Sequence, residues 1–278
     1  MITAPPVRRQ LIGGTLRRYR ENLGCTLADA ARTLNCHPSK ISRIETGERG
    51  LRVAELRVLL DEYGAGEDMQ AALIAIADPH KPTGWWTRHD LSQPQRDYMA
   101  LEALATQVCY YAPLRIPELL QTPAYAEAQV EADQGLASGA MPNRAVEAIL
   151  ARQEAILDGN RDLRVVISEA ALHQSVGRPL VMRQQAAHLA SLSETGQVDL
   201  QVLPFRALAH PAPASGSMNI LRIGGPFGIP VVYLPCIAAS QFLAAEDAAL
   251  HIRAWEQLRM YALSCDESVV LLRKTAAA

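Results

Sequence analysis

Apolar positions in the first quarter of the chain recur at helical spacing. Between Arg8 and Asn22 they fall at Leu11, Ile12, Leu16 and Tyr19, with Leu23 next, so one helical face is apolar and Gly24 ends the run. Thr26 stands before a short Ala-rich stretch at 27–34, and Asp29 three residues on completes a capping-box pattern. Asn35 follows, the non-glycine type that best tolerates a left-handed turn. A third helix is predicted from Pro38, with Ile41 and Ile44 inward at i, i+3 and Gly47 as its stop. Two more are predicted at 53–63 and 67–77, closed by Gly64 and by Asp78-Pro79. Five short helices with short joins make an all-α domain.

The pattern changes after residue 77. Pro79, Pro82, Gly84 and Pro94 mark 78–94 as a linker, and the Trp85-Trp86 pair inside it reads either as a staple to a domain core or as a ligand contact. From Gln95 the periods mix. Helices are predicted at 95–111, 123–133, 142–158, 179–195 and 245–264. Short Val/Ile/Leu-rich runs predict strands at 163–168, 198–203, 217–223 and 230–234. The expected architecture is a five-helix domain over 1–77, a linker over 78–94, and an α+β domain over 95–278 whose small sheet is covered by helices.

Charge sharpens this division. Residues 1–64 hold eleven Lys/Arg against seven Asp/Glu, a net +4, whereas the whole chain carries −2. A basic head on an acidic body fits a DNA-binding domain joined to a domain of another kind. No run of about 18 apolar residues and no signal peptide is visible, so a cytoplasmic protein is expected. The five cysteines are widely spaced and lack metal-finger spacing, so neither a metal site nor a cofactor is expected.

The helix pair at 27–34 and 38–46 has the chemistry of a helix-turn-helix. Its second helix needs polar or cationic side chains near the N-terminus for the major groove and apolar ones behind. Ser39, Lys40, Ser42 and Arg43 meet the first need, with Ser39 and Lys40 best placed for base edges and Arg43 for a guanine edge or a phosphate. Ser42 and Thr26 suit phosphate oxygens, and Arg17 and Arg49 are expected phosphate neighbours. No catalytic motif is present: there is no Gly-x-Ser-x-Gly, phosphate-binding loop or His-Glu-x-x-His. Gly224-Gly225-Pro226-Phe227-Gly228 reads as a loop between strands. In the second domain Trp85, Trp86, Glu102, Gln121, Arg152 and His210 are candidate effector contacts. For Glu102 and Arg152 the alternative is a buried ion pair.

The stretch 12–64 resembles the Cro/repressor-type (XRE) helix-turn-helix family. The matching residues are Leu16-Arg17, Leu23-Gly24, Ala31, Leu34, Pro38 and the run Ile41-Ser42-Arg43-Ile44-Glu45-Thr46-Gly47. The resemblance implies a homodimer on a pseudo-palindromic operator. The remainder resembles actinobacterial antitoxin-like regulators of the WhiJ type, through Gly84-Trp85-Trp86, residues 98–102, Tyr111-Ala112-Pro113-Leu114, residues 116–126, Ala151-Arg152-Gln153, residues 168–172, Val202-Leu203-Pro204-Phe205, Ala209-His210-Pro211 and Val231-Val232-Tyr233. That implies a transcription regulator whose large second domain answers to a small-molecule effector or to a small partner protein encoded nearby. The alternative is an antitoxin-like interaction protein that regulates its own operon. An enzyme with a DNA-binding appendage is a third reading, disfavoured by the missing motif. Three residues depart from the family pattern: Leu27 stands where Gln is usual, Asn35 where Gly is usual in the turn, and Glu118 where Gly is usual before Leu119-Leu120-Gln121-Thr122.

Overall fold

The computed structural model describes residues 7–78, 84–133, 142–157, 161–207, 216–225, 228–236 and 240–278. Its first five helices are Val7–Asn22 (α1), Leu27–Thr33 (α2), Pro38–Glu45 (α3), Val53–Glu62 (α4) and Glu67–Ala77 (α5). They form where the apolar spacing predicts. The capping box is present, with the Thr26 hydroxyl accepting from the Asp29 amide and the Asp29 carboxylate accepting from the Thr26 amide. Asn35 carries the left-handed turn at φ 47°. Leu11, Ile12, Leu16, Ile41, Ile44, Leu56, Leu59, Leu60, Leu73 and Ile76 bury the shared core.

A 3-10 turn at Trp85–Arg88 leads into α6 (Gln93–Glu102) and then a strand, β1 (Ala105–Ala112). This corrects the helix expected over 95–111. The helix stops nine residues earlier, and the next apolar residues lie in an extended strand. β1 is central and buried on both faces, so its run Val108-Cys109-Tyr110-Tyr111-Ala112 shows no alternation to tell it from a buried helix. A second 3-10 turn (Glu118–Leu120), α7 (Pro123–Asp133) and α8 (Pro142–Ile156) lead to β2 (Asp162–Ser168). From there α9 (Glu169–His173) and α10 (Pro179–Glu194) lead to β3 (Asp199–Leu203). The chain continues through β4 (Met218–Ile223), β5 (Ile229–Leu234), β6 (Gln241–Ala244), α11 (Ala245–Tyr261) and α12 (Cys265–Ala277).

These strands make one mixed sheet in the order β3-β2-β1-β4-β5-β6. β1, β2 and β3 are parallel, as helical crossovers require, while β4, β5 and β6 extend the other edge of β1 as an antiparallel meander. On one face Val108, Tyr110, Val165, Ile167, Leu200 and Val202 join a core that also includes Leu189 of α10 and Leu272 of α12. On the other, Cys109, Tyr111, Val166, Ile220 and Val232 pack under Ala248, Trp255 and Leu258 of α11.

The two helical and mixed regions touch. α1 packs on α11 and β6. At the β4 end, Gly224 (φ 89°) comes so close to α5 that a Cβ there would stand 2.6 Å from the Ala72 Cβ. The glycine-rich segment after β4 therefore serves as a close packing point, since only a residue without a side chain fits between the two elements.

Candidate functional site

The helix pair is built around α3. His37 precedes Pro38 in extended conformation and caps the helix: its Nδ1 accepts from the Ser39 amide at 3.2 Å. Behind α3, Ile41 and Ile44 are fully buried. α1 lies against the helix end so closely that a Cβ on Gly13 would stand 2.2 Å from the Ile44 carbonyl oxygen. The last α3 residue, Glu45, accepts two hydrogen bonds from Arg20 of α1 at 2.6 and 2.8 Å, with both side chains buried. Arg20 also donates to the Cys25 carbonyl at 2.9 Å. Apolar contacts, a close backbone approach and a buried ion pair thus fix the inner face of α3.

The outer face is open to solvent at several positions. Ser39 and Arg43 are exposed one turn apart, Ser42 is half-buried, and Arg49 is exposed in the loop after α3. Its backbone amide is tied to the Arg43 carbonyl at 2.9 Å. Neither Arg43 nor Arg49 forms an ion pair among the described residues. Lys40 differs. Its Nζ donates to Glu55 of α4 at 2.5 Å, and that contact, with a bond from the Arg52 amide, holds the Glu55 carboxyl below its usual range. Arg17 pairs with Glu21 one turn along α1, at the surface. The Thr26 hydroxyl is engaged in its cap and donates to Asp29 at 2.6 Å.

The second region holds a buried polar network. Glu102, at the end of α6, is 1% exposed and Arg152, on α8, is 5% exposed. Arg152 donates to both Glu102 oxygens at 2.7 and 2.9 Å, to Glu118 at 2.9 Å and to the Tyr110 hydroxyl at 2.5 Å. Tyr98 and Tyr110 donate to the same Glu102 oxygen at 2.8 and 2.5 Å, and Asn219 donates to the Tyr98 hydroxyl. Every nitrogen of Arg152 is therefore used. Burial pushes the Glu102 carboxyl up, but the Arg152 fork and the two hydroxyls outweigh it and leave it below its usual range. Burial drives both tyrosines well above theirs.

Residues 95–274 match the family model of a domain of unknown function, DUF5753. The chain belongs to the DUF5753 family. Residues 11–73 match a helix-turn-helix domain, which marks a DNA-binding regulator. No curated protein and no solved structure matches the chain. Among the described residues, no helix is long and apolar enough to cross a membrane.

Of the effector candidates, the DUF5753 fold brings Glu102 and Arg152 together as an ion pair. Gln121 lies beside this pair. Its carbonyl accepts from Gln153, the neighbour of Arg152, and its side-chain amide donates to the Ile116 carbonyl, while its buried Oε1 has no hydrogen-bond partner. Trp86 is buried in the core, in the turn that packs on α8. Trp85 is half-buried and meets it edge-on at 6.0 Å. That arrangement is the staple reading of the pair. His210 lies outside the described residues. Sequence reasoning gave no role to His37, Tyr98, Tyr110 or the Arg20–Glu45 pair. Only His37 had a local signal, its place just before a helix-starting proline.

Proposed function

We propose that this DUF5753 protein is a transcription regulator that binds a pseudo-palindromic operator as a homodimer through α3. Ser39 and Arg43 face base edges in the major groove, while Ser42, Arg17 and Arg49 hold phosphates and Thr26, its hydroxyl spent on Asp29, caps α2. The observation that carries this reading is the asymmetry of α3. Its inner face is fixed by Ile41, Ile44 and the Arg20–Glu45 pair, whereas Arg43 stands outward without an ion-pair partner among the described residues and Ser39 is exposed, its hydroxyl 2.8 Å from Nδ1 of the capping His37. Lys40 must leave Glu55 to reach DNA, so its contribution is smaller than that of Arg43. In the same reading the DUF5753 domain answers to a small effector or to a small partner protein, as in WhiJ-type antitoxin-like regulators, and performs no catalytic step. The two-domain arrangement and the direct packing of α1 on α11 support such coupling.

The test is fluorescence anisotropy on an operator recovered by in vitro selection, repeated across salt concentrations. Wild-type affinity should fall steeply with salt as counterions are released. Arg43→Ala should lose about 1–3 kcal/mol and relax preference at one base, and Lys40→Ala should lose less. Selection that yields no preferred sequence, or Arg43→Ala binding unchanged at matched salt, overturns the proposal.

A further inference from the structure

On the sheet face away from the Glu102–Arg152 network, a cavity of about 180 Å³ opens between β1, β2, β4 and α11. Three arginines line it, one from each of β2, β4 and α11: Arg164, Arg222 and Arg259. The register explains the convergence. Arg164 sits opposite Cys109 and Arg222 opposite Gln107, so both guanidinium groups reach the same end of the sheet, and Arg259 descends on them from the covering helix.

Two of the three are held in place by carboxylates. Arg164 donates to Asp162 through Nε and Nη2, and Arg259 donates to Gln201 through Nε and to Asp199 through Nη2. Arg164 Nη1, Arg259 Nη1 and all three nitrogens of Arg222 make no hydrogen bond among the described residues. Three side chains that carry unused donors therefore line one hollow. The floor is Cys109, whose thiol burial pushes up to about 12 despite the nearby guanidinium groups, so it is neutral and does not repel an anion. Trp255 forms an apolar wall, and Glu256 is the one carboxylate in the lining.

We propose that this cavity binds a phosphate group, free or at the head of a small phosphorylated metabolite. Its size decides against a larger ligand held wholly inside, since drug-sized pockets run to about 300–1,000 Å³. At about 30 Å³ per water, the space suits a small polyatomic anion. The free Arg222 fork, with the unused Nη1 groups of Arg164 and Arg259, offers donors from three side chains, which matches a tetrahedral oxyanion with three or four acceptor oxygens better than a two-oxygen carboxylate. The site uses none of the proposed DNA-reading residues, and the inference does not rest on DNA binding.

Isothermal titration calorimetry on the full chain, at constant ionic strength in chloride, tests the assignment with orthophosphate, glycerol 3-phosphate and acetate. Orthophosphate or glycerol 3-phosphate should bind saturably at one site, and acetate should not. Tighter binding of orthophosphate identifies the free ion, and tighter binding of the ester identifies a phosphorylated metabolite. Arg222→Gln should weaken binding by about tenfold or more, the usual loss for charge-assisted hydrogen bonds. Glu256→Gln should strengthen it, an opposite sign that a merely structural role does not give. Arg222 is half-buried and unpaired, so its substitution should leave the thermal midpoint of the unliganded protein in place; Arg222→Lys, which keeps the charge, supplies an intermediate affinity if it does not. No saturable phosphate binding, equal binding of acetate, or unchanged affinity in Arg222→Gln overturns the proposal.

Discussion

A carboxylate that is 1% exposed is costly to keep charged, and Glu102 stays charged because three donors converge on one of its oxygens and a fourth bond reaches the other. Its pKa is depressed in the fold. It therefore contributes stability in full above the ordinary carboxylate range, and that contribution is lost as pH falls through its folded value. Tyr110→Phe removes one donor to the carboxylate and one acceptor for Arg152. It should cost about 1 kcal/mol at neutral pH and move the acid limb of the urea-unfolding midpoint to higher pH. An unmoved acid limb would remove Tyr110 from the groups that hold the charge. Such networks are hard to see in a sequence. Glu102 and Arg152 were suggested as partners, but Tyr110 and Asn219 join them through strand register, from β1 and β4. The Thr26–Asp29 box was readable because its two residues are three apart. The Arg20–Glu45 pair spans 25 positions and two helices and left no local trace.

At the scale of elements, the placing of α3 depends on how closely α1 approaches it. Gly13 is what permits that approach, since a Cβ would meet the carbonyl oxygens of Ile44 and Glu45 at 2.2 and 2.6 Å. Gly13→Ala should force the helices apart and destabilise the domain by about 1–3 kcal/mol, as overpacking does, with a larger proportional loss in operator affinity than in the urea midpoint. Gly14→Ala is the control, because its added methyl meets nothing within 4 Å and removes a glycine from a helix interior. The helices of the DNA-binding domain were legible because each has a surface stripe and a stop. In the second domain, β1 was hidden by burial on both faces. β6 is only four residues long, and α12 went unread although Ser264 and Glu267 form a capping box at its start. That box is the signal that would have found it.

The whole molecule joins a region of local contacts to one of distant ones. Helices α1 to α5 close on one another within about 70 positions and β1 finds β2 some 55 residues downstream, but β1 meets β4 only some 116 residues downstream. Loop closure must precede each of those strand pairings, which slows them. In refolding followed by pulsed hydrogen exchange, amides of α1–α5 should gain protection before those of β1 and β4; simultaneous protection would show that the shared core forms as one unit. The arrangement has a consequence for synthesis. As the chain leaves the ribosome, the helix-turn-helix quarter is finished while β1 still presents a free edge that β4 has yet to cover. A nascent chain of this build can therefore present a folded helix-turn-helix before its second domain exists, and its apolar central strand spends that interval in need of shelter.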